Sequence, residues 1–236
     1  MPNPFPRLLI LGHRGAPQEA TENTLESFSL AVRQGADGVE LDVRPAADGT
    51  PVVIHDDALD RTFSTQGKVA GLAWPALQRL TGARLPSLQQ AAAWAASADA
   101  WLNVELKATG AEAATIDIIR THGLLEKTFF SSFDEAVVAR IGAIEPAARR
   151  FFLTAEWNDR TRERLIASGA SGLCLRVDAA SSMTMEVLRQ EGLPVVVWTV
   201  DDPARMAQLA RAGVAGIITN RPATAVEALR GGGGAG

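Results

Sequence analysis

Short apolar runs recur along the chain, and a longer stretch with apolar positions three and four residues apart follows each of them. The short runs lie at 8–12, 38–42, 102–106, 128–132, 150–154, 172–176, 194–199 and 215–219. The longer stretches, at approximately 23–34, 86–98, 110–122, 134–143, 158–168, 181–191, 202–212 and 222–230, carry helical periodicity. Short β-rich runs that alternate with longer helical stretches are the signature of βα units and a parallel sheet. Eight strand–helix units within 236 residues predict an α/β protein of the (β/α)8 barrel type, the TIM barrel. Gly35, Gly123, Gly169, Gly192 and Gly213 stand where helices are expected to stop. Asn23 with Glu26 three residues on predicts a capping box at the first helix.

One apolar run breaks the alternation. The stretch PVVIHDD, residues 51–57, follows the second strand after only Pro45-Ala46-Ala47-Asp48-Gly49-Thr50. A parallel crossover needs a dozen or more residues, so this run must turn back antiparallel, with Asp48-Gly49 as its turn. A two-residue turn there sets Asp42 opposite His55, and a slip of two residues sets Glu40 there instead. The hairpin and the chain after it, about 43–85, form a small insertion above the second strand. It contains Arg61, Thr62, Gly67, Gly71 and Trp74. One barrel domain is expected over 1–230, and the Gly-rich tail 231–236 is expected to be disordered.

Composition narrows the function classes. Hydrophobic residues at 47% and charged residues at 21% fit a globular chain long enough for a large core. The 23 Lys and Arg against 27 Asp and Glu give a net charge of −4. No basic excess therefore points to nucleic acid or to an anionic membrane surface. No run approaches the ~18 apolar residues of a membrane span. The first run, Leu8–Leu11, is too short for the core of a signal peptide, so a cytoplasmic protein is expected. The single cysteine, Cys174, lies in the run Leu173-Cys174-Leu175, which predicts a packing role rather than a nucleophile.

In a barrel, chemistry collects at the C-terminal ends of the strands. The first strand runs into Gly12-His13-Arg14-Gly15, where the glycines are expected to permit a tight turn and the close approach of a bulky anion. In the second, Glu40 and Asp42 share one face; in the third, Asn103, Glu105 and Lys107 do. Three carboxylates converging on adjacent strands repel one another and are costly to desolvate. A hard divalent cation relieves this, and an all-oxygen shell favours Mg²⁺ or Ca²⁺ over Zn²⁺.

Of the three histidines, His13 and His55 fall beside the acidic cluster, whereas His122, just before Gly123, is placed to cap a helix. The set suits cleavage of a phosphodiester. The cation would polarise the phosphoryl oxygens, and Arg14 and Lys107 would hold the remaining negative charge. One histidine would activate the nucleophile while the other protonates the leaving alkoxide. No third histidine is placed to activate Ser131 or Ser132. Trp198 and Phe133 are candidates for an apolar wall beside the organic part of such a diester, with barrel packing as the other reading.

These residues resemble those of the glycerophosphodiester phosphodiesterase family. The matching elements are His13-Arg14-Gly15, Glu22-Asn23-Thr24, Glu40-Leu41-Asp42, His55-Asp56 and Val104-Glu105-Leu106-Lys107. Ser131-Ser132-Phe133, Trp198-Thr199-Val200 and Ile217-Ile218-Thr219-Asn220-Arg221-Pro222 match more weakly. The ordered set spans almost the whole chain. The resemblance implies a barrel enzyme that hydrolyses glycerophosphodiesters to sn-glycerol 3-phosphate and an alcohol. It implies a divalent cation on Glu40, Asp42 and Glu105, acid and base roles for His13 and His55, and phosphate contacts from Arg14 and Lys107. The family commonly has Pro-Glu-Asn-Thr where this chain has Thr21-Glu22-Asn23-Thr24, and Glu22 joins the substrate-binding candidates in second rank. The short insertion resembles that of compact bacterial-type members and offers little lid for long lipid chains. Attack by the glycerol 2-hydroxyl, through a cyclic phosphate, and direct attack by water both fit these residues. A lysophospholipase D-type phosphodiesterase on the same scaffold is the alternative. A non-catalytic phosphodiester-binding protein is a further one, against which the presence of both histidines argues.

Overall fold

The computed structural model describes residues 3–231. The elements in chain order are β1 (Leu9–His13), α1 (Leu25–Arg33), β2 (Gly38–Pro45), β3 (Pro51–Val53), α2 (Asp60–Phe63), α3 (Trp74–Leu80), α4 (Leu88–Ala98), β4 (Trp101–Leu106), α5 (Glu112–Thr121), β5 (Thr128–Ser132), α6 (Glu135–Ile144), β6 (Arg149–Thr154), α7 (Asp159–Ser168), β7 (Gly172–Arg176), α8 (Ser182–Gln190), β8 (Val195–Trp198), α9 (Pro203–Arg211), β9 (Gly216–Thr219) and α10 (Pro222–Arg230). Eight strands, all but β3, pair in parallel, and the β1–β2 and β1–β9 pairings close them into the expected (β/α)8 barrel. Of the tail at 231–236, only Gly231 is described, as the cap residue after α10; the rest lies outside the described residues.

Side-chain alternation along each strand sorts the core into two layers. Ile10, Val39, Leu41, Val104, Phe130, Phe152 and Val197 point outward into the main core beneath the helices. Leu9, Leu11, Phe129, Phe151, Cys174, Val196 and Ile218 fill the barrel interior. Phe5, from the segment before β1, packs there against Trp101, Phe129 and Phe151, with ring centroids 5.4, 5.2 and 5.9 Å away. This aromatic group occupies the N-terminal half of the barrel, which leaves polar chemistry to the other end.

Two local expectations are corrected. The cap of α1 is Thr24, whose hydroxyl accepts from the Ser27 N–H, and not Asn23. Asn23 is instead held in the left-handed region (φ 56°), with its side chain turned to Asp42. A capping box forms at α4, between Ser87 and Gln90. The hairpin register also differs by one residue. Val43 pairs with Val53, and the Ile54 N–H donates to the Asp42 carbonyl, so Ile54 rather than His55 stands opposite Asp42. The cause is the loop. Ala46 and Thr50 close a three-residue turn with Gly49 at φ 80°, and the Asp48 carboxylate accepts from the Thr50 and Trp74 N–H groups. Pairing with β3 also carries β2 beyond its expected end, to Pro45.

The chain between β2 and α4 has a small core of its own. Ala46, Val52, Ile54, Leu59, Phe63, Val69, Leu77 and Leu85 cluster together, with Trp74 packed against them. This lobe carries His55 to the mouth of the barrel. Among the described residues, no helix is long and apolar enough to cross a membrane.

Candidate active site

Strand register builds the site. His13 pairs with Glu40 across β1–β2, and Asp42 pairs with Glu105 across β2–β4. Each inward-facing position therefore stacks beside the next at the C-terminal rim. Carboxylate oxygens of Glu40, Asp42 and Glu105 lie within 4.8 Å of one another, and all three side chains are buried. Burial, reinforced by Asp42 and Glu105, holds the Glu40 carboxyl well above its ordinary range. Burial and Asp42 push Glu105 up as well, with Lys107 opposing them. Glu40 Oε1 and Asp42 Oδ1 are buried and accept no hydrogen bond. Hard oxygen donors left unpartnered in an acidic triad fit a divalent cation of the Mg²⁺ or Ca²⁺ type.

Arg14 and Lys107 surround the triad. Arg14 Nε lies 3.1 Å from Asp42 Oδ2, and its Nη1 lies 2.9 Å from Glu22 Oε1. Lys107 Nζ lies 2.5 Å from Glu105 Oε1 and 3.4 Å from Asp42 Oδ1. The three carboxylates thus meet two cations, which leaves a formal charge of −1 that a divalent ion would turn to +1. Arg14 has φ 55°, and its N–H donates to Glu40 Oε2 at 3.0 Å. Asn23 Nδ2 donates to Asp42 Oδ2 at 2.8 Å. Left-handed backbone costs non-glycine residues roughly 1–2 kcal/mol. At Arg14 and Asn23 that strain is offset by bonds to the carboxylates.

The glycines around His13-Arg14 make the expected tight turn, with Gly15 N–H donating to the Gly12 carbonyl at 3.1 Å. They do not open the way to an anion. A Cβ on Gly12 would lie 2.2 Å from the Gly15 oxygen, and one on Gly15 would lie 2.3 Å from Ser27 Oγ. The space that they free is taken by the turn and by α1.

His13 Nε2 sits 3.9 Å from Glu40 Oε2, while Nδ1 is 2.7 Å from Asn220 Oδ1. Burial, and then the adjacent Arg14 charge, hold the His13 ring below its ordinary pKa. His55 Nδ1 is 2.6 Å from Asp56 Oδ1. The carboxylate that touches His55 is therefore Asp56, and not Asp42 or Glu40. Arg61, from α2, bonds Asp56 Oδ2 and grips Glu22 through two nitrogens at 2.7 and 2.9 Å. These bonds to Arg61, helped by His55, draw the Asp56 carboxyl down to about 2. Glu22 lies between the guanidinium groups of Arg14 and Arg61 rather than on the cavity wall.

A cavity of about 140 Å³ joins these parts. Its polar wall holds His13, Arg14, Glu40, His55, Asn103, Glu105 and Lys107; its apolar wall holds Phe133, Leu153, Trp198 and Ile218. Phe133 is 43% exposed and meets Trp198 edge-on at 5.7 Å. Trp198 serves both readings, since it lines the cavity while its Nε1 donates to the Cys174 carbonyl. Ser131 accepts from Asn103 Nδ2, and Ser132 donates to the Leu106 carbonyl, so both tie the barrel wall together. Cys174 is buried, and burial pushes its thiol up. His122 ends α5, with Nδ1 2.8 Å from the Ile118 carbonyl.

Five polar partners carried no sequence expectation of a role in this site: Asn23, expected only as a helix cap, and Asp56, Arg61, Asp201 and Asn220. Asp56 was signalled only by its place beside His55 in the matching pair His55-Asp56, and Asn220 only by the weaker match over 217–222. Asp201 reaches Asn220 at the end of the neighbouring strand, with no spacing rule to announce it.

Residues 13–224 match the model of the glycerophosphoryl diester phosphodiesterase family. A glycerophosphodiester phosphodiesterase of Caldanaerobacter subterraneus subsp. tengcongensis is 28% identical over 256 residues, covering 96% of this chain and 100% of its own. A solved phosphodiesterase from Oleispira antarctica, in complex with the product sn-glycerol-3-phosphate, is 26% identical with a TM-score of 0.86 over 94% of this chain and 96% of that one. The solved glycerophosphodiester phosphodiesterase of Thermotoga maritima is 30% identical with a TM-score of 0.83, over 94% and 99% of the two chains.

Proposed function

The chain belongs to the glycerophosphoryl diester phosphodiesterase family, and on that premise we propose that it hydrolyses glycerophosphodiesters to sn-glycerol 3-phosphate and an alcohol, with one Mg²⁺ or Ca²⁺ ion and with His13 and His55 as its proton-transfer pair. One observation carries this reading: Glu40 and Glu105, two members of a buried acidic triad, line the same cavity as two histidines, an arginine and a lysine, and Glu40 Oε1 accepts no hydrogen bond.

Glu40, Asp42 and Glu105 would hold the cation. When bound, it would offset most of the negative charge of the triad and would polarise the phosphoryl oxygens. Arg14 and Lys107, already held at the rim by the carboxylates, balance the charge of the phosphodiester. His13 and His55 enter from different units, the barrel wall and the inserted lobe, so they reach the substrate from separate supports. One takes the proton of the attacking group, the glycerol 2-hydroxyl or water, and the other gives a proton to the leaving alkoxide. Phe133 and Trp198 offer an apolar wall to the glycerol or alcohol carbons. The small cavity favours a compact glycerol phosphate group over a long acyl chain. The product complex of the Oleispira relative supports the same class of ligand.

The test is release of sn-glycerol 3-phosphate from glycerophosphocholine by metal-depleted enzyme, with Mg²⁺ and Ca²⁺ added back separately. Activity is expected to return with a divalent cation, and to be higher on glycerophosphocholine than on lysophosphatidylcholine. His13→Ala and His55→Ala should each lower kcat at least ~100-fold, the range for losing a general acid or base. Near-normal turnover by either variant refutes the role of that histidine.

A further inference from the structure

From His13 a polar chain leads away from the carboxylates into the ends of β8 and β9. Asp201, three residues past β8, accepts three hydrogen bonds. Its Oδ1 takes the Thr219 hydroxyl at 2.9 Å and the Asn220 backbone N–H at 2.8 Å, and its Oδ2 takes the Asn220 side-chain amide at 2.7 Å. A carboxylate only accepts, so the Asn220 Nδ2 must face Asp201. That turns Asn220 Oδ1 toward His13, where it lies 2.7 Å from Nδ1. An amide oxygen also only accepts, so the proton of the neutral ring sits on Nδ1. Nε2 is left with its lone pair on the side of Glu40, and His13 lines the cavity.

We propose that Asp201 and Asn220 are positioning residues for the hydrolysis: Asp201 fixes which way the Asn220 amide faces, Asn220 fixes His13 in the Nδ1–H tautomer, and the Nε2 lone pair is thereby presented to the attacking hydroxyl. The inference rests on the reading of His13 as a proton-transfer group. In the step that it serves, the proton of the attacking hydroxyl or water passes to Nε2, the oxygen keeps the bonding pair for its new bond to phosphorus, and the phosphorus–oxygen bond to the leaving alkoxide breaks with its electron pair as that alkoxide takes a proton from His55. The two histidines differ in this respect. His55 has a carboxylate, Asp56, at the same ring position, and a carboxylate presents an acceptor whichever way it turns. His13 has an amide, which presents an acceptor only when something else holds it.

Three variants test the relay: Asp201→Asn, Asn220→Asp and the double exchange. Asp201→Asn frees the Asn220 amide to face either way, and Asn220→Asp sets two carboxylates against each other. In the double exchange, the amide at 201 can accept from Thr219 and from the 220 N–H and donate to the new carboxylate, which accepts from His13. Asp201→Asn is expected to lose at least ~10-fold in kcat, in line with a misplaced catalytic tautomer, and Asn220→Asp a similar factor, because two facing carboxylates repel and displace the group that holds His13. KM should stay within about 2-fold, because binding groups are untouched. The double exchange should recover most of the loss, which damage to the fold would not allow.

Nitrogen-15 NMR of the cation-free protein reads the tautomer directly, and the chain has only three histidines to assign. Wild type should show a protonated Nδ1 and a bare Nε2 at His13, and Asp201→Asn should show a mixture. A wild-type ring protonated on Nε2, unchanged kcat in Asp201→Asn, or a double exchange no better than the single variants overturns the relay. The wild-type spectrum needs no variant to fold. If His13→Ala is inactive while the relay variants are normal, the relay fails and the proton-transfer reading stands. If His13→Ala keeps its activity, that reading fails, whatever the tautomer.

Discussion

Without a cation, the acidic triad should make the protein lose stability as pH rises through the neutral range. The Glu105 carboxyl is raised from 4.5 to about 7 by burial and by Asp42. Below pH 4.5 both the folded and the unfolded chain hold this proton, and Glu105 costs nothing. Between 4.5 and about 7 the unfolded chain releases it while the folded chain keeps it, so unfolding is increasingly favoured. Above about 7 the full penalty is present. A shift of this size corresponds to ~3 kcal/mol. For a chain of this length, that lowers the melting temperature by roughly 6 °C. The assay is calorimetric melting from pH 5 to pH 8 in a chelator, on wild type and on Glu105→Gln. Wild type should melt progressively lower as pH rises, and the Glu105 share of the decline should vanish in the variant. A divalent cation, which binds the ionised form of the folded chain, should restore the wild-type value at pH 8. A flat wild-type profile in chelator, or an equal decline in Glu105→Gln, would refute the reasoning.

Two further outcomes follow from the contacts around the site. Arg61→Ala removes the grip on Asp56 and Glu22 and should lower kcat roughly 10-fold, as loss of a supporting partner does; Arg61→Lys should recover only part of it, because an ammonium cannot reproduce the forked contact, and steady-state kinetics showing no change would sink the idea. Cys174 should resist a thiol reagent in the native protein and react fully on unfolding in urea, so rapid native labelling would contradict its burial.

The barrel was legible because short β-rich stretches alternate with longer ones of helical period, eight times over. The triad was legible because alternation along each strand puts Glu40 with Asp42 and Asn103 with Glu105 on the inner face, whatever the tertiary detail. Legibility ended where local rules compete. Asp48-Gly49 satisfies the pattern of a two-residue turn, yet bonds from the Asp48 side chain support a three-residue loop, and the register moves by one. Asn23 satisfies the pattern of a cap, yet Asp42 claims its side chain. Helices as short as α2 leave too few residues for a period. The supporting contacts were beyond local reading altogether. His13 and Asn220 are 207 residues apart, and Arg61 and Glu22 are 39 apart. Only closure of the barrel and docking of the lobe bring them together.

Phe5, set among Trp101, Phe129 and Phe151, makes the tube a cul-de-sac. Whatever enters at the rim has to go out by the rim, and both halves of a cleaved diester share one doorway. The order of departure then matters as much as the chemistry. On the proposed reading, Arg14 and Lys107 hold the half that keeps the phosphate, and the alcohol has only the apolar side to grip. The alcohol is then expected to leave first, with the phosphate-bearing product as the one that competes with the next substrate for the doorway.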